Sequence, residues 1–152
     1  MGKRKVAIIG TNGLPAKYGG FETLTNYLTI HLKDEFDFTV YCSRRPKKER
    51  IRSYNGSRLI HIPLKANGIQ SIFYDVLSIL HAWIRSDVLL ILGGSGAIIF
   101  PFNKIFNKRI ILNIGGVDWK RGKWNTLEKK YIQYSERLSV KYANVVITDN
   151  LV

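Results

Sequence analysis

The chain has 152 residues, 45% of them hydrophobic, which is enough for one globular domain with a real core and excludes a disordered polypeptide. Lys and Arg number 24 against 11 Asp and Glu, a formal charge of +13, so polyanions are the natural partners: nucleic acid, an anionic membrane or phosphorylated substrates. Cys42 is the single cysteine, which excludes an intramolecular disulfide and suits a reducing cytoplasm, and no apolar run reaches the ~18–20 residues that cross a bilayer.

Met1-Gly2-Lys3-Arg4-Lys5 is basic like the start of a signal peptide, but the apolar Val6–Ile9 is too short for the hydrophobic region of one and stops at Gly10. Lys5–Gly10 instead predicts a buried parallel strand. A glycine-rich segment, Thr11–Gly20, leads into a helix with Phe21, Leu24, Tyr27, Leu28 and Leu32 at three- and four-residue spacing. Asp37–Cys42 predicts a second strand, and Arg58–Ile62, stopped by Pro63, a third. Between them lies a basic loop, Arg44–Arg52, with six cations in nine residues.

Ile69, Ile72, Phe73, Val76, Leu77, Leu80, Trp83 and Ile84 predict the apolar face of a second helix. Asp87–Leu92 is a continuous apolar strand ended by Gly93-Gly94. Ser95 is placed to cap a short helix running to about Phe106, with Pro101 near its middle. Arg109–Asn113 is the next strand. Leu127, Tyr131, Tyr134 and Leu138 predict a long amphipathic helix, and Asn144–Thr148 the last strand. Alternation on this scale means a doubly wound, mostly parallel α/β sheet covered on both faces. No helix is predicted after the last strand, which reads as a cut at a domain boundary.

Ligands of open α/β sheets bind at the carboxyl ends of the strands. Three segments fall there or nearby. In the first, Gly10–Glu22, Gly13, Gly19 and Gly20 permit close approach to a helix N-terminus, whose free amides suit a phosphate. Glu22 in the first turn is placed to complement the dipole or to bond a sugar hydroxyl. The same glycines serve equally well merely to shape a βα turn. Their spacing is not a dinucleotide fingerprint, and no Gly-Lys-Ser/Thr makes a P-loop. No acidic residue ends the second strand to bind a ribose. Arg44 and Arg45 there keep open an NADP-binding alternative, in which they meet the 2′-phosphate.

The second segment, Asn113–Trp124, interleaves Trp119 and Trp124 with Lys120, Arg121 and Lys123 after Gly115-Gly116. Such a set fits a sugar or phosphate pocket or single-stranded nucleic acid; the tryptophans also suit packing under the following helix. The third is the basic loop, which is either simply solvated or, beside the Phe73- and Trp83-bearing helix, able to sit on an anionic bilayer. His31, His61 and His81 are scattered, and the chain lacks metal-ligand spacing and a nucleophile elbow.

At these segments the chain resembles a family-4-type glycosyltransferase of the GT-B fold, and more narrowly the bacterial rhamnosyltransferase-like branch of polysaccharide assembly. The resemblance runs over essentially all 152 residues. It is carried in order by Ile8–Leu24, Tyr54–Pro63, Tyr74–Ala82, Asn113–Trp124 and Glu136–Asn150. It implies that residues 1–152 are an N-terminal, acceptor-side Rossmann-like domain facing a nucleotide-sugar-binding domain absent from this chain, so that the chain alone is inactive. It implies donor-phosphate contacts from Gly13, Gly19 and Gly20, with Glu22 orienting the loop or a sugar. Gly116, Asp118, Trp119, Lys120 and Arg121 would line the acceptor side.

The implied reaction moves a sugar, with retention, from a nucleotide-sugar donor to a glycan or glycolipid acceptor. It needs no bound cofactor, metal or nucleic acid. The implied location is cytoplasmic, peripheral at the inner face of the plasma membrane. Relatives read Asn-x-Asp-Gly-x-Glu-Trp-Lys-Arg in the second segment; here Gly115 replaces that Asp and Asp118 the Glu.

Overall fold

The computed structural model describes residues 2–17, 19–115 and 124–148. Seven strands form one sheet: β1 (Arg4–Ile9), β2 (Phe36–Cys42), β3 (Ser53–Tyr54), β4 (Ser57–His61), β5 (Val88–Leu92), β6 (Arg109–Ile114) and β7 (Val145–Thr148). Their order is β3-β4-β2-β1-β5-β6-β7, and every pairing is parallel except β3 with β4. The short β3, not foreseen in the sequence, turns back on β4 through Asn55 and Gly56, both at positive φ. The chain winds one way from β1 to β4, then crosses to β5 on the other side of β1. That reversal is the topological switch point of a Rossmann-like sheet.

The middle strands are buried on both faces because their side chains are apolar in both alternations. Val6, Ile8, Val40 and Leu92 point to one side with Leu14 and Phe38, where α1 (Gly20–His31) contributes Phe21 and Leu24, and its C-cap Leu32 joins them. Ala7, Ile9, Leu89, Ile91, Ile110 and Leu112 point to the other. There α2 (Gln70–Arg85) contributes Ile79, Ala82 and Trp83, and α4 (Thr126–Tyr142) contributes Leu138 and Tyr142. A capping box starts α4: Asn125 accepts from the Glu128 amide at 2.8 Å, and Glu128 accepts from the Asn125 amide at 3.0 Å.

The apolar stripes that the spacing predicts seat the helices only in part: Phe21 and Leu24 of α1 and Leu138 of α4 pack on the core, but other residues lie deeper. The deepest residues of α1 are Glu22, Thr25 and Thr29, and Tyr27 is exposed. In α4 they are Ile132, Ser135 and Ser139, while Leu127 and Tyr134 are exposed. Small hydroxylated residues let a helix lie close, and their O–H groups are satisfied locally. Thr25 donates to the Phe21 carbonyl, Thr29 to that of Thr25 and Ser78 to that of Tyr74.

The largest correction falls on α2. Its buried face is Ser71, Tyr74, Asp75, Ser78, Ile79, Ala82 and Trp83, and the predicted apolar stripe is mostly on the outside. The helix expected from Ser95 is also different. Residues Ala97–Phe102 form a 3-10 helix that runs into the single turn α3 (Asn103–Phe106), and Ser95 caps neither. Pro101 lacks the N–H that a continuous α-helix would use there.

Candidate functional site

A cavity of about 630 Å³ opens at the switch point, over the carboxyl ends of β1, β5 and β6. The first wall is the glycine segment. Gly10 closes β1 at φ +103, and the loop behind it is pinned from several directions. Glu22 Oε1 accepts from the Asn12 amide at 2.8 Å and from its side chain at 3.1 Å. The Gly13 amide donates to Thr11 Oγ1 at 2.8 Å, and the Tyr74 hydroxyl donates to the Thr11 carbonyl at 2.7 Å. The Leu14–Pro15 peptide within the loop is cis.

Arg45 is buried beneath this loop. Its guanidinium donates to the carbonyls of Leu14 at 2.8 Å, Asn12 at 3.3 Å and Pro15 at 3.4 Å. An arginine spent on three carbonyls is a brace for the loop, which removes it from the NADP alternative; Arg44 is exposed. The rest of the basic loop folds over the same segment. Lys47–Glu49 is a 3-10 turn, and Glu49 pairs with Lys17 at 3.0 Å, which holds the Glu49 carboxyl below its usual range.

Of the sequence-predicted site residues, Gly19, Gly20 and Glu22 line the cavity together. Gly19 is the N-cap of α1, at φ +113 and with no side-chain cap, so the first-turn amides of the helix have no intrahelical acceptor. Gly20 is already the first helical residue, and an added Cβ there would meet nothing within 4 Å. Glu22 is buried, its Oε2 lying over Gly19. Gly13 does not line the cavity; it packs against β2, where an added Cβ would lie 2.4 Å from Cys42 Sγ. Gly116, Asp118, Trp119, Lys120 and Arg121 lie outside the described residues. At Gly115 a Cβ would fall 2.5 Å from the Phe21 ring, so the ring occupies the space that a side chain there would enter.

The Asp75–Ser95 part of the cavity floor was not foreseen, whereas Asn113, Gly115 and Trp124 of the second predicted segment do line the cavity. Asp75, on the inner face of α2, accepts a short hydrogen bond from Ser95 Oγ on Oδ2, and among the described residues no donor reaches Oδ1. The Tyr131 hydroxyl holds the Ser95 carbonyl at 2.9 Å, and Ser135 Oγ donates to Gly94. Asn113, at the end of β6, keeps a buried side-chain oxygen without a partner. Trp124 and Glu136 complete the wall. The described lining therefore holds three carboxylates, Glu22, Asp75 and Glu136, and no Lys or Arg, on a chain of net charge +13. No local signal flags Asp75, which lies off the predicted apolar stripe of α2 and whose partner Ser95 is 20 residues away.

Burial pushes the Asp75 carboxyl up to about 7, against the opposing bond from Ser95. Folding then retains a proton that the unfolded chain releases near its ordinary pKa of ~3.9, so stability falls as pH rises from about 4 to about 7 and is flat above. Asp75→Asn should remove that slope: its melting temperature should exceed the wild type's at pH 8 but not at pH 4. Thermal melts across this range check it, and parallel curves for the two proteins would place Asp75 in a solvated setting.

Residues 3–152 match the model of a family described as a domain of unknown function, DUF1972. No curated protein sequence matches the chain. Among solved structures, sucrose-phosphate synthase from Thermosynechococcus elongatus superposes with a TM-score of 0.70 at 12% identity, over 95% of this chain and 42% of that one. A short-chain dehydrogenase/reductase from Veillonella parvula, solved with NADP, superposes with a TM-score of 0.54 at 14% identity, over 95% of this chain and 67% of that one. These likenesses bear out the Rossmann-like α/β fold. The chain spans less than half the length of that synthase.

Proposed function

The chain belongs to the DUF1972 family, and from its fold and cavity we propose that it is the acceptor-side half of a GT-B glycosyltransferase. The reaction is transfer of a sugar, with retention, from a nucleotide-sugar donor to a lipid-linked glycan at the inner face of the plasma membrane, in polysaccharide synthesis of the rhamnosyltransferase type. The observation that carries this reading is the composition of the cavity wall. Carboxylates, amides, serine hydroxyls and an indole, with no described cation, suit a neutral polyhydroxylated ligand: hydroxyls donate to the acids and a sugar face lies on the ring. The uncapped first turn of α1 at the rim suits the donor diphosphate, whose developing charge backbone amides stabilise as the leaving group departs. Asp118, Trp119, Lys120 and Arg121 complete the acceptor side in this reading.

Amide shift mapping on the isolated chain tests it. Added nucleotide diphosphate sugars should move the Gly19–Phe21 amides, acceptor oligosaccharides should move Gly93–Ser95, and no sugar should be transferred. Responses to NADP with none to any nucleotide sugar would replace this reading by a dinucleotide-binding one. Robust transfer by residues 1–152 alone would overturn the half-enzyme reading.

A further inference from the structure

Six residues of α2 are exposed, and four of them, Phe73, Leu77, Leu80 and Ile84, are large and apolar. With Ile69 just before the helix they recur at intervals of four, four, three and four, a single stripe along the outside. Ile84 is 77% exposed and Phe73 61%. A helix of a soluble domain ordinarily turns polar residues outward, and a continuous apolar stripe is a surface that something covers. Next to its C-terminal end, α3 is held by the Phe106 ring stacked on Trp83 at 4.6 Å, and it leaves Ile105 exposed beside Lys104.

Charge identifies the cover. Ile84 and Arg85 also line a second cavity, of about 260 Å³, shared with Lys5, Arg58, His81 and Asp37. Its three cations are exposed, and among the described residues no carboxylate lies within 4 Å of their charged groups; the ion pair found there is Lys17–Glu49, elsewhere. His81 does not add to them: its ring bonds the Tyr41 hydroxyl at 2.7 Å, and burial and Arg85 lower its pKa. An apolar stripe ending in unpaired cations is the chemistry of a surface that enters an anionic interface, apolar side chains among acyl chains and cations at phosphates. We propose that the outer face of α2, with its Lys5–Arg58–Arg85 pocket, docks on an anionic phospholipid bilayer, the pocket taking a lipid phosphate.

The face is distinct from the basic loop, which folds onto the glycine segment. It also has a geometric use. Ser71 and Asp75, on the inner side of the same helix, line the substrate cavity, so a docked α2 brings the cavity beside the lipid surface. In that use the inference rests on the lipid-linked acceptor proposed above; the docking itself does not depend on sugar transfer, and its test involves none.

Flotation with phosphatidylcholine vesicles, and with vesicles of equal parts phosphatidylcholine and phosphatidylglycerol, tests it. The chain should bind the mixed vesicles and not the neutral ones. The variant Phe73→Ser/Leu77→Ser/Leu80→Ser should lose at least tenfold in affinity, and Arg58→Gln/Arg85→Gln about fivefold per cation removed. Lys47→Gln/Lys48→Gln in the basic loop should bind as the wild type does. All the substituted residues are exposed, and unchanged circular dichroism melts confirm that the variants fold. Wild-type binding by the serine variant, with loss in the loop variant, overturns the proposal. So does a wild-type dimer that the serine variant dissociates without change in vesicle binding, which makes a second copy the cover. Inorganic phosphate bound at the pocket while Arg58→Gln/Arg85→Gln keeps full vesicle affinity would overturn the lipid assignment.

Discussion

Gly10→Ala should cost at least ~4 kcal/mol of a total stability of ~5–15 kcal/mol, lowering the melting temperature by roughly 10 °C or more. Gly10 ends β1 at φ +103, a region side chains rarely enter, and an added Cβ would lie 2.1 Å from the Leu92 carbonyl oxygen and 3.0 Å from its carbon. Both are backbone atoms of β5, the strand hydrogen-bonded to β1 at the centre of the sheet, so no rotamer change relieves the overlap. Either β1 and β5 separate, breaking the middle of both apolar clusters, or the loop carrying Asn12 is re-aimed and loses its bonds to Glu22 and Arg45. A urea titration gives the stability directly. A variant that melts within a degree or two of the wild type would mean that the strand ends are not this close.

Gly20→Val should act in the opposite way, leaving the fold intact and, in the two-half enzyme proposed above, lowering turnover about tenfold or more, since ~1.4 kcal/mol of lost transition-state stabilisation gives that factor. Nothing lies within 4 Å of a Cβ at Gly20, and the residue is already helical, so valine there meets open cavity. The same branched side chain stands between an approaching phosphate and the first-turn amides of α1. Turnover per folded molecule and melting temperature, measured on one preparation, separate the roles. Undiminished turnover would remove these amides from the donor site. A collapse in stability with normal kinetics would make Gly20 a turn residue only.

The site was half legible in the residues. Gly19, Gly20 and Glu22 announce themselves because a strand, a glycine loop and a helix N-terminus are adjacent in sequence, and a βα turn places them at the sheet's carboxyl edge. Asp75 and Ser95 do not, because they come from two different crossovers and meet only where those crossovers end. Gly13 shows the limit of the first kind of signal. It sits in the same glycine segment, yet the turn directs it to Cys42 and away from the cavity.

What the amino-acid sequence determined by itself was the alternation of apolar strands and helices, and with it a mostly parallel, doubly wound sheet. Every long strand lies within one residue or so of the run that predicted it, and the middle strands are the clearest because a strand buried on both faces must be apolar throughout. Which side of each helix meets that sheet was decided only by the tertiary structure. Hydrophobic periodicity locates the largest apolar residues, but close approach of α1, α2 and α4 to the sheet selects Thr25, Thr29, Ser71, Ser78, Ser135 and Ser139. Several of these hydroxyls bond carbonyls of their own helix, so burying them costs little, and on α2 the bulky stripe is displaced. On α2 that displacement carries Phe73, Leu77, Leu80 and Ile84 to the outside while Asp75 turns inward to the cavity, a rotation fixed by contacts between distant segments rather than by local spacing.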